Sequence, residues 1–286
     1  MARIGVQAST VKHAFAELGP YETLRRVAGL GYHAIEMSQV AMSPENVAQM
    51  SRARDELGVR IASLTAPLRT SGGMPGDSLV DSFDKIVADC RTLGASILRI
   101  GMLPFDALQS LDRVVAFAEQ ANEMAHRLAD EGIALYYHNH HLEFSRYEGR
   151  FMLDVIADAA PEVGLEIDVH WVHRGGLDPV AVLAQYAGRV RLVHLKDYRI
   201  GPMPAEAFES LAAGDMAAFM AAFTGVVQFA EVGEGTLRWR PIIDQAIRSG
   251  AEYLLVEQDD TYGRDPFESL AISRTHLVEL GYGELF

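Results

Sequence analysis

Cysteine is almost missing from this chain: Cys90 is the only one among 286 residues. That excludes an intramolecular disulfide framework and any cysteine-rich zinc or iron–sulfur centre, and it points to a reducing cytosol. Basic residues are scarce as well. Lys and Arg number 25 against 39 Asp and Glu, a formal net charge of −14. Nucleic acid is therefore not an expected partner, because binding phosphate backbones needs a basic face. No apolar run approaches the roughly 18 residues of a membrane span. The opening MARIGVQAST has no apolar stretch behind a basic start, so neither a membrane nor a secretory leader is expected. Glycine-rich phosphate loops are missing too. AST follows the first apolar run where a dinucleotide fold would carry GxGxxG, and there is no Walker loop and no GxSxG elbow. The expectation is an acidic, cytoplasmic, globular protein, long enough to bury about 75% of its unfolded surface.

What is present is a repeated unit. An amphipathic stretch closes on a glycine and a short apolar, β-branched run follows at once. The runs are GYHAIEM (31–37), GVRIASL (58–64), GASILRI (94–100), GIALYYH (132–138), GLEIDVH (164–170), GRVRLVHL (188–195) and GAEYLLVE (250–257), and RIGVQAS (3–9) opens the series. Glycine there ends a helix in the left-handed region and releases the chain into a strand. The runs are mostly continuous rather than alternating, as parallel strands covered on both sides require. Between them lie helical segments, such as 44–57 with Ser43 as N-cap and Pro44 at the first helical position, and 112–129. Eight strands alternating with helices predict a (β/α)8 TIM barrel over a single domain, 1–286. One interval, 198–252, is too long for a simple crossover. It is expected to be an extended segment after strand seven, with an acidic helix over 205–223. The Gly/Pro-rich loop 67–78 after strand three is expected to be a mobile flap.

Polar residues gather where such a barrel carries its chemistry, at the C-terminal strand ends. Six of the ten histidines fall between 138 and 194. Strand five ends in YHNHHLE (137–143), strand six in DVHW (168–171), strand seven in HLKD (194–197) and strand eight in EQDD (257–260). Alternate residues of a strand share a face, so His138/His140, Asp168/His170, His194/Lys196 and Glu257/Asp259 are expected to project in pairs toward one mouth. Mixed carboxylates and imidazoles suit a divalent cation such as Mn²⁺, Mg²⁺, Co²⁺ or Zn²⁺, with Mn²⁺ preferred.

YHNHHLEF (137–144), DVHWVHRGGLDP (168–179), VHLKD (193–197), VGEG (232–235) and VEQD (256–259) together resemble the xylose isomerase-like TIM-barrel superfamily, the sugar phosphate isomerase/epimerase group. The resemblance implies one catalytic divalent cation held by Glu143, Asp168, His194 and Glu257. Glu143 has the opposite strand parity to His138 and His140, so either histidine is an alternative first ligand. The resemblance also implies proton transfer by Glu143 and Glu257 on a small sugar or polyol, and it makes homo-oligomerisation an expectation. A cation that polarises the carbonyl of a hydroxy-ketone stabilises an enediolate, from which epimerisation, aldose–ketose isomerisation and elimination all follow. The expected activity is isomerase or epimerase, with a lyase (an inosose-type dehydratase, or elimination from a 3-keto-glycoside) as the alternative. His140 and Lys196 are further acid/base candidates. Glu36, His138, His170, Trp171 and Glu231 are candidate substrate contacts. DDTYGRDP after strand eight is a poor phosphate cradle and favours a neutral sugar. An endonuclease for damaged DNA belongs to the same superfamily, but the net charge argues against it. A non-catalytic sugar-binding barrel is the remaining alternative.

Overall fold

The computed structural model describes residues 2–70 and 76–286. Residues 71–75, within the expected flap, lie outside the described residues. Eight parallel strands close into a barrel: β1 (Arg3–Gln7), β2 (Ala34–Met37), β3 (Arg60–Thr65), β4 (Ile97–Ile100), β5 (Ala134–His138), β6 (Gly164–Asp168), β7 (Val190–Leu195) and β8 (Tyr253–Val256). Each lies beside its neighbours in sequence, and β1 closes on β8. All eight expected strands are present.

The local signals act as the sequence suggests. Gly58 and Gly94 end the helices Pro44–Leu57 and Phe83–Leu93 with φ of +67°. The Ser43 hydroxyl accepts a hydrogen bond from Asn46 N, and Pro44 opens the helix. The helix Leu111–Asp130 buries Val114, Phe117, Ala118, Ala121, Met124, Ala125 and Leu128, the 3–4 spacing of a face laid against the sheet.

The barrel interior is stratified. Ala62, Ile97, Tyr136, Leu192 and Leu255 form an apolar plug separate from the core between strands and helices. Further along the strands the buried positions become charged or polar, two residues past the plug at Arg99 and His194 and, across a register shift between β2 and β3, at Glu36 and Ser63, with Glu166 beside them. In β4 and β7 the two layers follow from alternation, since residues i and i+2 of a strand face the same way.

The segment after β7 departs from the expectation in two ways. It leaves as an antiparallel ladder, Asp197–Ile200 against Val227–Ala230. The single expected helix is two, Ala205–Ala212 and Met216–Thr224. The break has a local cause: Gly214 takes φ +83°, and Asp215 caps the second helix by accepting from Ala218 N. No helix among the described residues is long and apolar enough to cross a membrane.

Candidate active site

The C-terminal ends of β5 to β8 bring four buried side chains together. Ligand-type atoms of His138, Asp168, His194 and Glu257 all lie within 4.8 Å of one another. Strand register does much of this work, because Asp168 is paired with His194, and His194 with Leu255, two residues before Glu257.

Each side chain is oriented by a partner on its far side. His138 Nδ1 donates to Gly101 O at 3.2 Å, which leaves Nε2 as a lone pair 3.5 Å from Asp168 Oδ2. His194 Nε2 lies 3.0 Å from Glu36 Oε1 and 3.1 Å from Glu166 Oε1, so Nδ1 is turned toward Asp168 and Glu257. Asp168 ends β6 and caps the helix Val169–Arg174, its Oδ1 accepting from His170 N and Trp171 N. Its Oδ2 is left for the cluster. Asn139 secures the turn by accepting from Asp168 N at 3.0 Å. Glu257 Oε1 accepts from Ser9 Oγ, and Oε2 faces Lys196 Nζ at 3.3 Å.

Three of the converging atoms, His138 Nε2, Asp168 Oδ2 and His194 Nδ1, are buried without a hydrogen bond. Buried polar atoms without a hydrogen bond are costly, and three aimed at one point could together hold a cation. The residues fit a divalent cation with two imidazole nitrogens and two carboxylates. The protonation tendencies of His138 and Asp168 agree with this. Burial pushes His138 down to about 4, keeping it a neutral donor. Burial opposes the charge on Asp168, but Lys196 and the two imidazoles reverse this and hold the carboxyl ionised. His194 runs the other way: burial would lower it, but the carboxylates of Glu166, Glu257 and Glu36 raise it well above the usual value, so its Nδ1 proton must leave for a cation to bind there.

Glu143 is not among the four. Its buried carboxylate is held by Tyr137 Oη and by His140 N, the latter at 2.9 Å. His138 takes the corresponding place at the end of β5. Lys196 lies beside the cluster, 2.7 Å from Asp259 and 3.3 Å from Glu257, and these two carboxylates with Asp168 hold it protonated against burial. His140 opens onto the mouth, and burial drives it down to about 3.

Of the candidate substrate contacts, His138 lines a cavity of about 320 Å³, together with the acid/base candidates His140, Lys196 and Glu257 and with Gln7, Gln39 and Asp259. Lys196 Nζ lies 5.1 Å from the centre of the Trp171 ring and 5.3 Å from that of Phe229, and the His170 ring packs against both aromatics. His170 belongs to the first turn of a helix rather than to β6, since the Asp168 cap ends the strand. Both of its ring nitrogens, together with His140 Nδ1 and Trp171 Nε1, are buried without partners. Glu36 lies beneath the mouth, fully buried against Arg99, Ser63 and His194. Glu231 is turned toward Arg264 and Ser269. A larger concavity, about 940 Å³ along Leu68, Phe105 and Phe117, brings no such set of groups together.

Three residues at or below the mouth were not expected: Arg99, Glu166 and Phe229. The first two carried a signal, a charged residue inside an apolar strand run. Phe229 carried none, because it arrives through a ladder closed across the excursion.

A barrel of eight parallel strands with imidazoles and carboxylates converging at its C-terminal mouth defines a class of cation-ready α/β barrels. The xylose isomerase-like TIM barrel family model matches residues 24–276, and the chain belongs to that family. Inosose dehydratase from Clostridium beijerinckii (strain ATCC 51743 / NCIMB 8052) is 28% identical over 166 residues, covering 57% of this chain and 53% of that protein. The match thus spans about half the length of that relative. A sugar phosphate isomerase/epimerase from Parabacteroides distasonis ATCC 8503 superposes with a TM-score of 0.72 at 20% identity, covering 97% of this chain and 98% of that one. L-Ribulose 3-epimerase gives 0.70 at 16%, covering 100% and 96%. A probable 3-DHS dehydratase from Bacillus anthracis gives 0.66 at 11%, covering 98% and 99%. The fold is shared by epimerase and dehydratase alike.

Proposed function

We propose that this chain is a cytosolic, divalent-cation-dependent isomerase or epimerase that moves a proton next to the carbonyl of a neutral keto-sugar. The observation that carries the reading is the convergence of His138 Nε2, Asp168 Oδ2 and His194 Nδ1, three buried atoms without a hydrogen bond, with Glu257 Oε2 2.9 Å from His194 Nδ1. These four residues would hold the cation, Mn²⁺ by preference. When bound, it supplies Lewis-acid polarisation of a carbonyl oxygen.

The chain's own groups do the rest. Glu257 is the carboxylate at the mouth that can accept a proton, with Ser9 fixing its other oxygen. Lys196, kept as an ammonium, is the proton donor and screens the charge that develops on the substrate. Glu143 orients the His140 segment through its backbone N–H. The unpartnered nitrogens of His140, His170 and Trp171 suit the hydroxyls of a polyol, and the faces of Trp171 and Phe229 suit its C–H side. Lys12, Arg99 and Lys196 are the cations lining this cavity, and Arg99 and Lys196 are already paired with acids, which leaves Lys12 and supports a neutral substrate over a phosphorylated one.

A lyase is the second reading. It is favoured by the inosose dehydratase relative and by an ammonium placed to protonate a departing hydroxyl. One experiment separates the two. Mn²⁺-loaded protein is incubated in D₂O with a panel of keto-sugars, 3-keto-glycosides and inososes. Deuterium appearing next to the carbonyl supports the isomerase or epimerase, and ultraviolet absorbance of an unsaturated ketone supports the lyase. Asp168→Ala should cut either signal by about 10³-fold, the scale of losing several kcal/mol of carbonyl polarisation. Neither signal from any panel member would overturn both readings.

A further inference from the structure

Below the four converging residues lies a second set, which shares His194 with them and whose carboxylates the proposed chemistry does not use. Glu36, Glu166 and His194 also offer ligand-type atoms within 4.8 Å of one another, all fully buried. Two carboxylates and an imidazole could by themselves hold a second cation. That place is already taken. Arg99, from β4, lies 2.9 Å from Glu36 Oε1 and 3.1 Å from Glu166 Oε2, with its side chain only 4% exposed. The guanidinium is fixed in turn by Thr65 Oγ1 and Ser38 Oγ, both at 3.0 Å, and Ser63 Oγ donates to the other oxygen of Glu36 at 2.6 Å.

The geometry points to a positioning device for cation binding. Glu36 holds His194 Nε2–H by a hydrogen bond, Glu166 Oε1 lies 3.1 Å from the same nitrogen as an ionic contact, Arg99 balances their charge, and the ring is locked with Nδ1 presented to the mouth. A carboxylate behind a ligating histidine fixes its tautomer and strengthens it as a donor. Two carboxylates on one N–H would repel each other without a shared counter-charge, which is the work assigned to Arg99. Glu36, Glu166 and Arg99 are thus positioning residues, and the lower set is not a second metal site. This inference rests on the cation site proposed above.

The test is calorimetric titration of the metal-free, full-length protein with Co²⁺ alone, so that no turnover is needed. The wild type should take up one Co²⁺ per chain. Glu36→Gln keeps shape and an acceptor but removes the charge, and should weaken Co²⁺ binding by about 10–100-fold. Glu36→Asp should recover part of the loss. Should Glu36→Gln fail to fold, Ser63→Ala removes only the hydroxyl that holds Glu36 and should weaken binding by about threefold. Unchanged affinity in folded Glu36→Gln, or in Ser63→Ala where that variant stands in, would overturn the inference while leaving the upper site intact. Two Co²⁺ per chain would overturn the role of Arg99. No Co²⁺ uptake by the wild type would instead sink the cation site itself.

Discussion

The barrel interior and the excursion after β7 invert the usual arrangement of a globular protein. Within the barrel, Glu36, Arg99, Glu166 and His194 are charged or chargeable and have almost no contact with solvent. In the excursion, Ile200, Phe208, Leu211, Met216, Met220 and Phe223 are apolar and exposed, Phe223 by 56%. The helix Met216–Thr224 buries none of its residues. Buried charge is tolerated only when paired on all sides, so the interior set is bound to one geometry. The excursion helices carry no comparable constraint. Constraint therefore resides where the converging side chains are oriented, and latitude where the chain wanders outside the barrel.

Three substitutions sharpen or break this contrast. The largest effect is expected at Arg99. Arg99→Met leaves Glu36 and Glu166 facing each other in the interior and should cost about 3–5 kcal/mol in urea unfolding, the usual penalty for stripping one partner from a buried ion pair. A cost below about 1 kcal/mol would mean that the interior charges are not bound as described. Next comes Asp197, where the excursion is tethered to the barrel. Its carboxylate accepts from the backbone N–H groups of Tyr198, Gly233, Gly235, Thr236 and Leu237 and from Trp239 Nε1. Asp197→Ala orphans these donors and should cost about 3 kcal/mol, with faster hydrogen exchange confined to 233–239. The smallest effect belongs to the excursion helices. Phe223→Ser should shift stability by no more than about 0.5 kcal/mol; a loss near that at Arg99 would show that this face is packed in solution.

The Asp197 tether also explains why VGEG reads as glycine-rich. A Cβ on Gly235 would come within 2.1 Å of Asp197 Oδ1, so the close approach of backbone to carboxylate requires glycine there. This demand was visible as a motif, but its partner was not.

Much of the molecule was legible for such local reasons. Glycine caps, continuous apolar runs and proline at helix starts each depend on neighbours a few residues away, and they gave all eight strands. Asp168, His194 and Glu257 were legible because strand ends of a parallel barrel share one mouth. What was not legible depended on closure. Parity alone shows that Glu36, Arg99 and Glu166 point inward, but the stagger between strands decides which of them meet, and only contact turns two carboxylates and a guanidinium into one unit. Whether His138 or Glu143 sits among the converging atoms turned on the course of the chain after β5, where the short helix Leu142–Phe144 carries Glu143 to Tyr137 and the His140 N–H. The single helix expected over 205–223 overlooked Gly214-Asp215, a break followed by a cap.

Phe229 gives the excursion a significance of its own. It reaches the mouth on the return arm of the ladder, yet every cation-facing residue belongs to a strand end of the barrel proper. On the proposed reading, grip on the ion and fit to the sugar would come from separate stretches of the gene, so lengthening, trimming or swapping residues 198–230 would let descendants of this chain change diet while keeping the same converging set.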